Sequence, residues 1–174
     1  MGKGNKATNF EEVFLPHLDA AYNLARWLTR DAADADDVVQ EAYMRAFRFY
    51  EGFQGGDSRA WILRIVRNTC FTWLKKNRPK EIVYELEEDR HEAVTGNPET
   101  ELVEESDRKA LFELLEELPA TFREIVVLRD LEGLSYKQIS SITDVPLGTV
   151  MSRLARARKQ LQSAATLSLA GVLK

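Results

Sequence analysis

The chain has 174 residues, 44% of them hydrophobic, and a net charge of −4; these values allow one medium or two small packed domains and exclude a disordered chain. Its single cysteine, Cys70, excludes an intrachain disulfide and suits a reducing cytoplasm. No apolar run approaches the roughly 18 residues of a membrane span, so no membrane insertion is expected.

Residues 1–9 (MGKGNKATN) carry lysines with no apolar core behind them, so they are read as a frayed tail and not a secretion signal. From Phe10 to Thr29 the residues Val13, Phe14, Leu18, Ala21, Tyr22, Ala25 and Leu28 recur at helical spacing, with Pro16 predicting a kink or an early break. A second helix is predicted over 34–49, with Val38, Val39, Ala42, Tyr43, Ala46 and Phe47 inward. The glycine-rich stretch 51–57 (EGFQGGD) reads as a loop, after which Ser58 is placed to cap a third helix. In that helix Trp61, Ile62, Ile65, Val66, Thr69, Cys70, Trp73 and Leu74 form a wide apolar stripe that ends before Pro79; Cys70 reads as a buried small apolar residue.

Charge is distributed unevenly. From Glu81 to Asp107 there are eleven acids and one base; from Asp57 to Lys80 there are seven bases and one acid. The acidic stretch is poor in aromatic residues and broken by Gly96-Asn97-Pro98, so 79–107 is read as a flexible linker able to span up to about 100 Å. A second helical domain follows, with Leu111, Leu114, Leu115 and Leu118 in one helix and Phe122 to Leu128 in the next.

Residues 134–161 predict two short helices joined by a tight turn. Ser135 and Gln138 form an S-x-x-Q capping box, and Thr143-Asp144-Val145-Pro146 interrupts the helix. In the second helix Val150, Leu154, Ala157 and Leu161 face inward, while Thr149, Ser152, Arg153, Arg156 and Gln160 are expected on the opposite side. No acid occurs between Pro146 and Leu161. A short polar helix face bearing arginines fits a DNA major groove. A helical hairpin with a merely solvated basic face is the plainer alternative.

The segment DADDVVQEAYMRAFRFYEGFQGGDSRAWILRIVRNTC, followed by a charged linker and LPATFREIVVLRDLEGLSYKQISSITDVPLGTVMSRLARARKQL, resembles bacterial RNA polymerase sigma factors of the small extracytoplasmic-function type. The resemblance covers residues 10–162 and implies an all-α chain of two small helical domains: region 2 over 10–78, the acidic linker 79–107, and region 4 with its helix-turn-helix over 108–162. It implies transcription initiation from specific promoters and no enzymatic activity. The expected partners are core RNA polymerase, promoter DNA and an anti-sigma factor. Polymerase contacts would be the clamp helices of the largest subunit and the flap of the second-largest.

By that resemblance Asp36, Asp37, Gln40, Glu41 and Arg45 form the polymerase-binding face. Near a helix start, acids also simply stabilise the helix dipole. Phe53, Gln54, Gly55, Gly56, Asp57 and Ser58 match the loop that captures an unstacked −10 base, and Arg59, Arg64, Arg67 and Asn68 line the helix beyond it. Phe53 offers a stacking face or else tucks beneath the loop; Trp61 and Trp73 are expected in the core. Gly148, Thr149, Ser152, Arg153, Arg156 and Arg158 would contact the −35 element. Met151 stands where many relatives have a basic residue, and a thymine methyl is the contact left to it.

No phosphate-cradling GxxxxGK[ST] motif is present, so strand opening would be driven by binding energy, and no cofactor is expected. His17, His91 and Cys70 are the only soft ligands, too few for a zinc site. Two rival readings remain: a free-standing helix-turn-helix regulator with an N-terminal sensor, and a helical adaptor that touches only proteins.

Overall fold

The computed structural model describes residues 2–82 and 108–172, and every regular element among them is helical. Helix α1 (Gly2–Phe14) includes residues expected to fray. A long-range tie holds it: Lys6 Nζ lies 3.0 Å from Glu51 and 5.5 Å from the centroid of the Phe47 ring. Pro16 breaks the first helix as expected, in a single 3-10 turn (Leu15–His17), and α2 (Leu18–Thr29) begins anew.

Helix α3 (Ala32–Phe49) opens on Asp31, whose carboxylate accepts from the Asp34 N–H at 3.0 Å. Helix α4 (Ser58–Asn77) is capped by Asp57 and not by Ser58, since Asp57 Oδ1 accepts from Ala60 N at 2.9 Å. Leu24, Leu28, Val38, Ala42, Ile62, Val66, Cys70 and Leu74 fill the space between α2, α3 and α4. Burial in that apolar setting pushes the Cys70 thiol up, out of reach of ordinary thiolate chemistry. Phe14, fully buried, wedges between the rings of Phe10, Tyr50, Phe53 and Trp61 at centroid distances of 4.9 to 5.8 Å.

The segment read as linker starts with packed residues. A helical turn covers 79–82, Ile82 leans on the core, and Glu81 pairs with Arg30 and, at 3.6 Å, with Arg123. The remainder of that segment, 83–107, lies outside the described residues.

The C-terminal bundle comprises α5 (Arg108–Glu117), α6 (Ala120–Val126), α7 (Tyr136–Thr143) and α8 (Leu147–Val172). After α6 a single wide turn (Val127–Leu131) lets Glu132 N donate five residues back, to Val127 O at 2.9 Å. The capping box of α7 is complete, with Gln138 N donating to Ser135 Oγ at 3.1 Å and Ser135 N to Gln138 Oε1 at 2.9 Å. Asp144 ends α7 in the left-handed conformation (φ 57°), which turns the chain towards Pro146 and α8. Val150, Leu154, Ala157 and Leu161 are buried, as their spacing predicts.

The bundles do not stand apart. Helix α7 packs on α4, and α6 on α2. Trp27 stacks on Phe112 with ring centroids 5.2 Å apart. Arg123, only 1% exposed, crosses between the bundles, donating to Leu118 O at 2.8 Å and to Leu28 O at 3.4 Å. Helix α4 has apolar residues beyond its single predicted stripe, namely Leu63 and Phe71, and both are buried.

Candidate nucleic-acid and polymerase interface

Helix α3 turns Asp36, Asp37, Gln40 and Glu41 to the surface, away from buried Val38, Val39 and Ala42. Asp37, Gln40 and Glu41 share one face because residues three and four apart are neighbours on a helix. Arg45, a turn further on, donates to Glu41 Oε1 at 2.6 Å. The spacing reading missed two features of this face. Met44 is 57% exposed, and Phe47, expected inward, remains 39% exposed, its ring perpendicular to that of Phe10 with centroids 5.3 Å apart. Tyr43, Met44, Phe47 and Arg48 line a shallow apolar recess beside the acidic row. An i, i+4 step from Gln40 to Met44 was the available signal.

The loop before α4 exposes Gln54, Gly55, Gly56 and Asp57. Gly55 and Gly56 hold φ of 88° and 94°, a region that a side chain would strain. Phe53 is half-buried, edge-on to Phe14 at 5.3 Å and tilted against Trp61 at 5.2 Å, so packing occupies part of its ring. Trp61 and Trp73 pack against the core as expected. His17 Nε2 lies 2.9 Å from Ser58 Oγ; burial and the nearby Arg59 hold its pKa below the usual histidine value, so it is neutral at pH 7.

The candidate −10 residues of α4 already have partners in the other bundle. Arg67 makes two bonds to Glu124, at 2.8 and 3.0 Å, and Glu124 is fully buried. Arg59 donates to Glu132 Oε2 at 2.9 Å, and Asn23 donates to Glu132 Oε1 at 2.5 Å. Arg64 lies 3.9 Å from Asp144, and Gln138 Nε2 donates to Asp57 Oδ2 at 2.8 Å. Asn68 stays exposed. Three carboxylates of the C-terminal bundle thus stand against three arginines of α4.

The Gln138 bond, joined by the Ala60 N–H, holds the Asp57 carboxyl below its ordinary range. Any stability from this link is present above the ordinary carboxylate pKa and is lost as pH falls through the lowered value. Gln138→Ala is expected to move the Asp57 pKa back up, which an NMR carboxyl titration reads directly; an unmoved Asp57 would show that the bundles part in solution.

On α8, Gly148 is exposed, with nothing within 4 Å of where a Cβ would stand. Thr149 and Ser152 are half-exposed, and Ser152 Oγ donates to Thr149 O at 3.1 Å. Arg156 is also half-exposed. Arg153 is not on the outer side where its polarity suggests; it is 8% exposed and lies within electrostatic reach of Glu124. It follows Val150 by three residues and so flanks the buried stripe. Arg158 turns to Asp130, with Nη2 donating to Oδ1 at 2.5 Å, and braces α8 on the wide turn. Among the described residues no group of acidic, histidine or cysteine side chains is arranged to hold a metal, and no helix is long and apolar enough to cross a membrane.

Residues 13–80 match the family described as Sigma-70 region 2, and residues 108–161 match Sigma-70, region 4. The chain is 36% identical to the ECF RNA polymerase sigma factor SigE of Mycolicibacterium smegmatis, over 88% of this chain and 60% of that protein. It is also 36% identical to the ECF RNA polymerase sigma-E factor of Escherichia coli K12, over 76% of this chain and 74% of that protein. Among solved structures it is similar to the sigma factor RpoE of Bartonella quintana in complex with the anti-sigma factor NepR. That match has a TM-score of 0.69 and 27% identity, covering 91% of this chain and 97% of that one. CnrH, in complex with the cytosolic domain of CnrY, shares the fold at a TM-score of 0.64 and 23% identity, covering 91% of this chain and 88% of that one.

Proposed function

This chain belongs to the sigma-70 family of non-catalytic, promoter-recognising transcription initiation factors, in its ECF branch with regions 2 and 4, and from that premise we propose how its residues divide the work. The exposed row Asp36, Asp37, Gln40 and Glu41, with half-exposed Arg45 and exposed Met44 beside it, docks on the clamp helices of core polymerase. Acids and amides there suit a basic helix pair, and the apolar recess supplies the buried contact that such a junction needs. The loop 53–58 and the arginines of α4 receive the −10 strand, and α7–α8 reads the −35 duplex. The flap of the second-largest subunit holds the C-terminal bundle. The chain itself catalyses nothing: strand opening comes from trapping unpaired bases, and the work is done in the cytoplasm.

One observation carries the reading: two sigma regions in one chain each present a surface suited to the role assigned to it. The paired arginines of α4 add a condition. Arg59 and Arg67, tied to largely buried carboxylates, meet DNA phosphates only after the bundles separate, while Arg64 is held loosely at 3.9 Å from the exposed Asp144, so the closed arrangement is a resting form. Docking of α3 on polymerase leaves α7 free to move away from α4. The RpoE structure holds an anti-sigma factor, and a partner of that kind would hold this chain back from polymerase in the same way.

The test is to add the purified chain to core polymerase and assay initiation on promoter fragments. The expected result is promoter-specific transcripts that core alone does not make. Stable promoter binding without polymerase would favour the free-standing regulator. Transcription indifferent to substitution of the region 4 arginines would favour the adaptor.

A further inference from the structure

The leading turns of α8 do not present the arginine-lined surface that their composition suggests. Leu147 is 47% exposed and Met151 is 39% exposed, one helical turn apart, and Ala155 continues the row half-exposed. Gly148 and Ser152 lie beside this row. Arg153 is buried, and Arg158 is committed to Asp130. The start of α8 is therefore a low ridge of apolar and small groups. Of the four bases between Pro146 and Leu161, Arg156 stays half-exposed and Lys159 exposed beside this ridge, and the segment carries no acid, so its surround is positive.

That surround favours a polyanion over an apolar protein surface. In a major groove the features that distinguish base pairs are hydrogen-bond donors, acceptors and one apolar group, the thymine 5-methyl. Leucine and methionine satisfy only the last. Pressed against a guanine or cytosine edge, they would strip water from polar atoms and return no bond. Methionine, unbranched and polarisable, adapts its shape to a methyl at more than one position.

We propose that Leu147 and Met151 select thymine in the −35 element by contact with its 5-methyl group, so that this chain reads part of its promoter through apolar contact. The inference rests on α7–α8 being the −35 reader.

The test uses holoenzyme assembled from the full chain and core polymerase. Promoter fragments randomised over the −35 element are selected for transcription, and each thymine of the recovered element is then replaced, one at a time, by deoxyuridine, which removes only the methyl. At one or two positions this is expected to lower open-complex formation about fourfold per methyl lost. In Met151→Ala holoenzyme the thymine-to-uracil ratio at one such position falls to about one, and Met151→Leu restores part of it. Leu147→Ala collapses the ratio at the neighbouring position. Both side chains are exposed, so the variants should keep the parent's circular dichroism.

Three results would overturn the inference while leaving the sigma reading intact: selected elements without thymine, a ratio near one in the parent holoenzyme, or variants that lose affinity for core polymerase and keep the ratio. Failure to select any promoter at all would remove the sigma reading itself, and the inference with it.

Discussion

Glu124→Ala is expected to destabilise the folded chain by about 3–5 kcal/mol, the largest effect of any surface-to-surface contact between the bundles. Glu124 is fully buried, receives two bonds from Arg67, and lies within electrostatic reach of Arg153 and Arg123. Alanine leaves these cations facing an apolar wall in place of an acid. The urea midpoint should drop, and the radius of gyration from X-ray scattering should rise as α7 leaves α4. Glu124→Gln keeps an acceptor for Arg67 and should cost less. A variant that lost stability with an unchanged radius would show that Glu124 serves only its own bundle.

The partner substitution has a different signature. Burial pushes the Glu124 carboxyl up, and Arg67 is the strongest influence pulling it back. Arg67→Ala should therefore let the carboxyl take up a proton. A carboxyl raised on folding contributes stability below its unfolded pKa and loses it as pH rises through the raised value. The stability of Arg67→Ala should accordingly fall as pH rises above the ordinary carboxylate range, more steeply than that of the parent.

Phe14→Ala is the second large expectation, at about 3–5 kcal/mol from the cavity that it leaves. In a chain of this size that corresponds to a midpoint about 6–20 °C lower in a thermal melt. The ring is fully buried among Phe10, Tyr50, Phe53 and Trp61. Its loss also removes the wall behind Phe53, so binding of a −10 single strand by holoenzyme should weaken beyond what the loss of stability explains. The Tyr43 hydroxyl, bonded to Phe14 O at 2.9 Å and raised to about 12 by burial, should titrate closer to an ordinary tyrosine once the site loosens. A parent-like melt would mean that the surrounding rings close over the gap.

Much of this architecture is legible in the sequence because it is local. Val150, Leu154, Ala157 and Leu161 announce their buried face by spacing alone. Ser135 and Gln138 announce a helix start because the two bonds of a capping box lie within four residues. Pro16 breaks a helix wherever it falls inside one. What the sequence concealed is long-range. Lys6 reaches Glu51, a contact 45 residues long that no local pattern announces, and α1 begins at residue 2 and not at residue 10. Asp57 outcompetes Ser58 as cap, a choice one residue wide that either side chain could satisfy. The candidate −10 arginines read as solvent-facing because Asp57, the cap of their own helix, is the single acid from 57 to 80; their carboxylates come from residues at least 57 positions away. Arg153 misled for a related reason: an arginine suggests water, and the acid beneath it belongs to another helix.

The pairing of Arg59, Arg64 and Arg67 with Glu132, Asp144 and Glu124 has a consequence for ionic strength. A protein that neutralises phosphates with idle cations releases condensed ions from DNA, and its affinity falls with a slope of about −0.9 per phosphate on a duplex, or about −0.7 on a single strand, in log–log terms. Here each such contact would also set loose a carboxylate that collects sodium or potassium of its own. Counting arginines thus overstates how sharply salt should weaken promoter engagement by the closed chain. Neutralising the three acids should steepen the dependence even as it strengthens binding.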